Sequence, residues 1–274
     1  MTVCPVLTVD VEDWFHVCGH PVYGDPATWD ARPSRVRAGV DRILALLAPT
    51  RSRATFFVLG WVARKAPDVV RRIRDGGYEV GCHGDLHRRV FELTPEAFRA
   101  DVVRSRDTLQ DVLGVRVTSF RAPEWSMRTP DNPALAILVE EGFAVDSSLV
   151  DAAPVGVPGN PTRPTVIRTP AGPILEVPPL MGTFFFRRAM WGGGVCGRLT
   201  RRARVEAAID RSLAEGVPPV LYCHPWEFDD GHPPMPGLPV VTRLVKFAGR
   251  RRTEERLERW LGKHTFAAIS SVAA

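Results

Sequence analysis

Residues 79–88, EVGCHGDLHR, place His83 and His87 four apart, and the run Asp10-Val11-Glu12-Asp13 offers three carboxylates within four residues. Two imidazoles and one carboxylate are a common divalent-metal set, and they leave positions open for water or substrate. A second carboxylate near the metal can act as general base toward bound water, and a separate histidine can act as general acid. His224 is a candidate for the acid, and Arg121 is a candidate to pair with the base and orient it. Together these residues describe a metal-assisted hydrolase with divided acid and base roles. The plainer reading makes His83 and His87 solvated side chains at a turn, with Asp85 as the turn residue. His16, His20, His232 and His264 have no partner motif and read as structural.

The elements that would have to position these groups argue for the chemical reading. Residues 3–10 (VCPVLTVD) are an apolar run ending in a carboxylate, the pattern of a buried strand. Further strands are expected at 54–60, 78–82, 143–148 and 265–270, with a short strand and turn at 118–123 and a buried strand followed by polar residues over 218–227. Helical spacing covers 34–48 with Ser34 as its cap, 67–76 opening on Pro67, 94–113 capped by Thr94, 131–141 capped by Asp131, 201–214 and 252–262. The Pro- and Gly-rich stretch 150–185 reads as loops plus a hairpin of TVIRT and ILEVP. Strands alternating with helices predict parallel βαβ units. Asp10 to Asp13, His83, Arg121, Asp146 and His224 all fall where strands end, and ligand sites in parallel sheets lie at the carboxyl ends of strands.

In this arrangement the chain resembles the polysaccharide deacetylases, the family of the nodulation-type chitooligosaccharide deacetylases, over roughly residues 5–270. The motifs stand in the family's order: TVDVED (Thr8–Asp13), His83-Gly84-Asp85-Leu86-His87, Arg121-Ala122-Pro123 with Glu124-Trp125, Asp146-Ser147-Ser148, and Leu221-Tyr222-Cys223-His224 followed by Pro225-Trp226-Glu227. VDVEDWF together with HPWE is most similar to the subgroup linked to exopolysaccharide loci. The resemblance implies an α/β fold, a distorted (β/α) barrel of seven or eight mostly parallel strands, as a single catalytic domain over 1–274. It implies Asp10 as general base, Arg121 as its partner and His224 as the acid that protonates the leaving amine. His83 and His87 would bind the metal, most often zinc, and Trp125 and Leu221 would line an acetyl pocket. The first motif departs from adjacent acids, since Val11 separates Asp10 from Glu12, so the third metal ligand is Glu12 or Asp13. Gly84 stands where a Ser or Thr is usual, and Glu124 where an aromatic is usual.

Composition narrows the partners. The 274 residues are 45% hydrophobic and 24% charged, ordinary for a globular protein. Five cysteines without a C-x-x-C pair argue against a disulfide framework or Cys-rich zinc site, and Cys82 and Cys223 read as buried strand residues facing away from the site. MTVCPVLTVDVEDW lacks a basic leader and a long apolar run, and no stretch nears the ~20 apolar residues of a membrane span, so a cytoplasmic location is expected. The net charge of +5 is carried almost entirely by scattered arginines, with Lys65, Lys246 and Lys263 the lysines. It reads as solvated surface or as preference for an anionic, nucleotide- or phosphate-linked sugar, and no nucleic-acid motif accompanies it. Phe184–Phe186 reads as core, a loop anchor, or an apolar wall for a lipid-linked substrate. The expected activity is N-deacetylation of an N-acetylated amino sugar in a glycan, glycoconjugate or metabolite. The alternatives are hydrolysis of a non-sugar, ureide-type amide, and glycan binding without catalysis.

Overall fold

The computed structural model describes residues 3–273. In chain order the strands are β1 (Val6–Val11), β2 (Thr55–Val58), β3 (Glu79–Cys82), β4 (Ser119–Phe120), β5 (Val145–Asp146), β6 (Thr165–Thr169), β7 (Gly172–Glu176), β8 (Met181–Phe184), β9 (Arg187–Met190) and β10 (Val220–Cys223). The helices are α1 (Val36–Leu47), α2 (Gly60–Lys65), α3 (Pro67–Asp75), α4 (Pro95–Leu113), α5 (Ala134–Glu140), α6 (Gly194–Leu199), α7 (Arg202–Ala214), α8 (Val240–Phe247) and α9 (Thr253–Lys263). Eight strands form one sheet in the order β10-β1-β2-β3-β4-β5-β7-β6, parallel except for the β6–β7 hairpin, and the sheet curls into a half-barrel. The β8–β9 hairpin stands apart as its own two-stranded sheet. The chain following β7 seams the curl: Leu180 N–H donates to Val220 O, and Tyr222 N–H donates to Gly192 O.

Strand periodicity sorts side chains between two surroundings. Leu7, Val9 and Val11 of β1, Phe56 and Val58 of β2, and Leu221 and Cys223 of β10 join the large core under the helices. The opposite faces give Val6, Phe57, Val145, Val177 and Val220, which with Ile269 plug the inside of the curl. Gly81 is part of this packing, since a Cβ there would stand 2.6 Å from the Phe57 ring. Above the plug, on the same inward faces, come Thr8 and Asp10, which meet Arg121.

Three local expectations are corrected. Residues 265–270 make a single bridge, Val6 to Ala267, and then a 3-10 turn, Ile269–Ala273, instead of a strand. Side-chain oxygens take the donors a ladder would need: Phe266 N–H bonds Ser52 Oγ, and Ile269 N–H bonds Thr55 Oγ1. Ser34 does not cap α1; Asp13 accepts from the Arg35 N–H at 3.0 Å and from the Ser34 hydroxyl at 2.5 Å, capping the helix from another part of the chain. Asn132 rather than Asp131 supplies the oxygen before α5, accepting from Ala134 N–H. Among the described residues no helix is long and apolar enough to cross a membrane.

Candidate metal and catalytic centre

Glu12, His83 and His87 converge just past the carboxyl ends of β1 and β3. Glu12 Oε1 lies 3.9 Å from His83 Nε2 and 3.5 Å from His87 Nε2. Ligand atoms held 2.0–2.2 Å from a tetrahedral ion stand about 3.3–3.6 Å apart, so the three are close to the spacing a metal would impose. All three residues are buried, and His87 Nε2 has no hydrogen-bond partner. A buried orphan nitrogen facing a carboxylate is what a bound cation would satisfy. His83 Nδ1 donates to the carbonyl of Arg121 at 2.8 Å, which fixes the tautomer and leaves Nε2 its lone pair. Burial pulls the His83 pKa down to about 4, so near pH 7 it is neutral, the form that could serve as a ligand. Burial raises Glu12, but His87, His224 and His83 outweigh it and hold the carboxyl well below the usual range.

The loop that carries the histidines is bent to deliver both. Gly84 has φ +74 and His87 φ 49, and a Cβ on Gly84 would approach Asp101 Oδ2 to 3.0 Å. The glycine at this position therefore answers a left-handed backbone that a Ser or Thr would strain. Asp85 is no exposed turn residue: it is buried and bridges to Arg64 Nη1 at 2.6 Å, while its own N–H donates to Asp101. Asp13, the other candidate carboxylate, is fully engaged with Ser34, Arg35 and Trp14 and is not part of the cluster. Burial pushes its carboxyl up, against those hydrogen bonds.

Asp10 stands beside this cluster, and Arg121 holds it. The guanidinium is completely buried. Its Nη1 donates to Asp10 Oδ1 at 2.8 Å and Thr8 Oγ1 at 2.7 Å, and its Nη2 donates to Ser147 Oγ at 2.8 Å. The rings of Phe57 and Trp125 lie 4.5 and 4.2 Å from the guanidinium carbon. Trp125 reaches this place through consecutive left-handed residues, Glu124 (φ 50) and Trp125 (φ 56), while Glu124 pairs outward with Arg89 at 2.7 Å.

His224 enters from β10. Its Nε2 is 3.5 Å from Glu12 Oε1 and 4.0 Å from Asp10 Oδ2. Its Nδ1 donates to Glu227 Oε1 at 2.6 Å, and its ring stacks on Trp226 with centroids 4.8 Å apart. Burial lowers the His224 pKa, but the Glu227 bond and the nearby Glu12 charge more than reverse it and the pKa ends raised. Burial lifts Glu227, yet Arg198 and His224 bring it down to about 2, so it stays charged. Leu221 is a correction. It is completely buried in the core under the helices, and Tyr222, one position on, presents its ring to Trp125 at 5.3 Å. Trp125 and Tyr222 cluster with Val150, Ala152, Met181 and Met190 as an apolar wall beside His224.

Two contributors escaped the sequence reading. Glu227 was visible as the fourth residue of HPWE, three places after His224, but no motif marks a task for it. Cys18, whose Sγ lies 3.3 Å from His87 Nδ1, is 69 positions away and left no signal.

Comparison with known proteins places these features. Residues 27–137 match the polysaccharide deacetylase family model. That match covers less than half of the chain. YheN of Bacillus subtilis, assigned as a polysaccharide deacetylase, is 30% identical over 126 residues, 46% of this chain and 44% of that protein. The chain thus spans less than half the length of this relative. The solved structure of a protein assigned as a polysaccharide deacetylase from Mycobacterium smegmatis superposes with TM-score 0.67 at 23% identity, covering 100% of this chain and 90% of that one. Puue allantoinase gives 0.64 at 18%, covering 98% and 88%. At such identities the likeness is one of fold. Residues 147–274 match a second model, described as a domain of unknown function. The two matched stretches share one sheet, and the residues around Glu12, His83 and His87 come from both, with Asp10 and Glu12 preceding either match.

Proposed function

We propose that the chain is a metal-dependent hydrolase that removes an N-acetyl or related N-acyl group from an amino sugar, its 274 residues acting as one catalytic domain. The observation that carries the reading is the three-part site: Glu12, His83 and His87 facing one point, Asp10 clamped by Arg121 on one side, and His224 backed by Glu227 on the other. A divalent ion in that cluster, zinc by the N,N,O donor set, would polarise the acyl carbonyl and lower the pKa of an attacking water toward about 7. Asp10, with one oxygen fixed by Arg121, takes the proton from that water. His224 Nε2 delivers a proton to the departing amine while Glu227 holds its other nitrogen. The wall of Trp125 and Tyr222 excludes water from the acyl methyl. A lipid- or nucleotide-linked N-acetylated sugar agrees with the excess of arginine.

The test is acetate release from N-acetylated oligosaccharides and sugar conjugates by zinc-loaded protein. Turnover that vanishes in Asp10→Asn and His224→Ala supports the assignment. A fully metal-loaded chain that cleaves none of them, or one that hydrolyses ureides instead, overturns it.

A further inference from the structure

The tip of the β8–β9 hairpin presents an unusual pair. Phe184 pairs with Arg187, so Phe185 and Phe186 are the two central residues of the turn. Both have positive φ, 46 and 65, a conformation that favours Asn and Gly and disfavours bulky aromatics. Their side chains are 82% and 101% exposed. Two phenylalanines held in a costly turn, left this exposed although the Phe185 ring meets the edge of Phe184, call for an apolar environment outside the protein.

The charge around them indicates which environment. Residues 177–205 contain six arginines and no acidic residue, and residues 231–253 contain four arginines and a lysine with none. Arg187, Arg201, Arg204, Arg243, Arg251 and Arg252 are exposed and have no carboxylate partner among the described residues. Helix α6 packs against both β9 and α8, and α8 turns Val240, Val241, Leu244 and Val245 outward. Aromatics at a turn tip, an apolar helix face and a collar of unpaired arginines are complementary to a bilayer with anionic headgroups.

We propose that this hairpin is an interfacial anchor that seats the protein on an anionic lipid surface. The base of the hairpin supplies Met181 and Met190 to the apolar wall beside His224, so the tip lies roughly 10–14 Å beyond that wall at ordinary strand rise. If the deacetylase reading above holds, the substrate is a lipid-linked amino sugar presented at the membrane.

The experiment is flotation of the full chain with vesicles of phosphatidylcholine, with or without phosphatidylglycerol. Binding is expected to the mixed vesicles only, and to weaken as salt rises. Phe185→Asn with Phe186→Gly is expected to lower partitioning about tenfold or more, while the unfolding temperature holds or rises because Asn-Gly suits the turn. Arg187→Gln should weaken binding in the same direction. Failure of the parent to float with anionic vesicles overturns the anchor, as does undiminished binding by the double variant. So does sedimentation showing that the pair instead joins two copies of the chain. Acetate release from a water-soluble N-acetylated oligosaccharide is read in parallel: the double variant retains it. A parent that floats but releases no acetate from any substrate leaves the anchor standing and removes the enzymatic reading.

Discussion

At the residue scale the two carboxylates Glu12 and Asp13 have separate work, and they can be told apart by measurement. Glu12→Gln is expected to lose the bound divalent ion, as are His83→Ala and His87→Ala, read by elemental analysis after dialysis. Asp13→Asn is expected to keep the ion but lose about 1–2 kcal/mol of stability in denaturant unfolding, since it weakens the hydrogen bonds that start α1. An Asp13 variant that sheds metal, with Glu12→Gln retaining it, would reverse the assignment. Glu227 is expected to act through His224. With the carboxylate gone, burial is opposed only by the Glu12 and Asp10 charges, and the imidazole pKa falls. The protonated acid is then scarce near neutral pH, so Glu227→Gln should move the alkaline limb of the rate profile to lower pH and cut kcat by about 10²-fold or more. A drop in rate with an unmoved profile would make Glu227 a packing residue only. The ligand pair and the arginine could be read from residue type and spacing. That Glu12 and not Asp13 faces the histidines could not, because it depends on Asp13 being drawn to a helix 22 residues further on.

At the scale of elements the delivery loop is the point of sensitivity. Gly84→Ser restores a hydroxyl at a left-handed position and pushes its Cβ to 3.0 Å from Asp101. The expected result is a loss of about 1–2 kcal/mol and weaker metal retention in a chelator competition, because the next residues place both imidazoles. Equal stability and equal retention would show that the loop yields without strain. The βαβ order and the ends of β1, β3 and β10 were legible because each strand is an apolar run closed by a polar group. Leu221 was misplaced because the motif marks a position on β10 without its face, and the period of two hands that face to Tyr222. The final strand was misread because TFAAIS has strand composition, while Ser52 and Thr55 compete for its backbone donors. The β8–β9 hairpin, with Phe-Phe at its turn, carried none of the usual turn residues and could not be found from them.

At the scale of the whole molecule, two carboxyls lie buried together behind Arg121. Burial raises Asp146 to about 6 and, with Asp146 beside it, lifts Glu176 well above its ordinary value. Asp146 Oδ2 has no donor unless a proton sits between them. An acid whose pKa is higher folded than unfolded binds its proton more tightly in the folded chain, so the stability it lends is present at low pH and lost as pH rises through the folded value. The unfolding temperature is therefore expected to decline from about pH 5 toward pH 8, and Glu176→Gln should flatten the decline. A slope that Glu176→Gln leaves unchanged would assign it to other groups. The pairing of β1 with β10 has a different consequence. Thr8 meets Tyr222 across more than 200 residues of chain, while Glu12, His83 and His87 all lie in the first third. As the polypeptide leaves the ribosome, Glu12, His83 and His87 can gather early, but His224, the proposed proton donor, arrives only when β10 closes on β1. A pairing that spans most of the chain is thus also the step that completes the proposed site, and on that reading a half-folded chain could hold a metal without being able to use it.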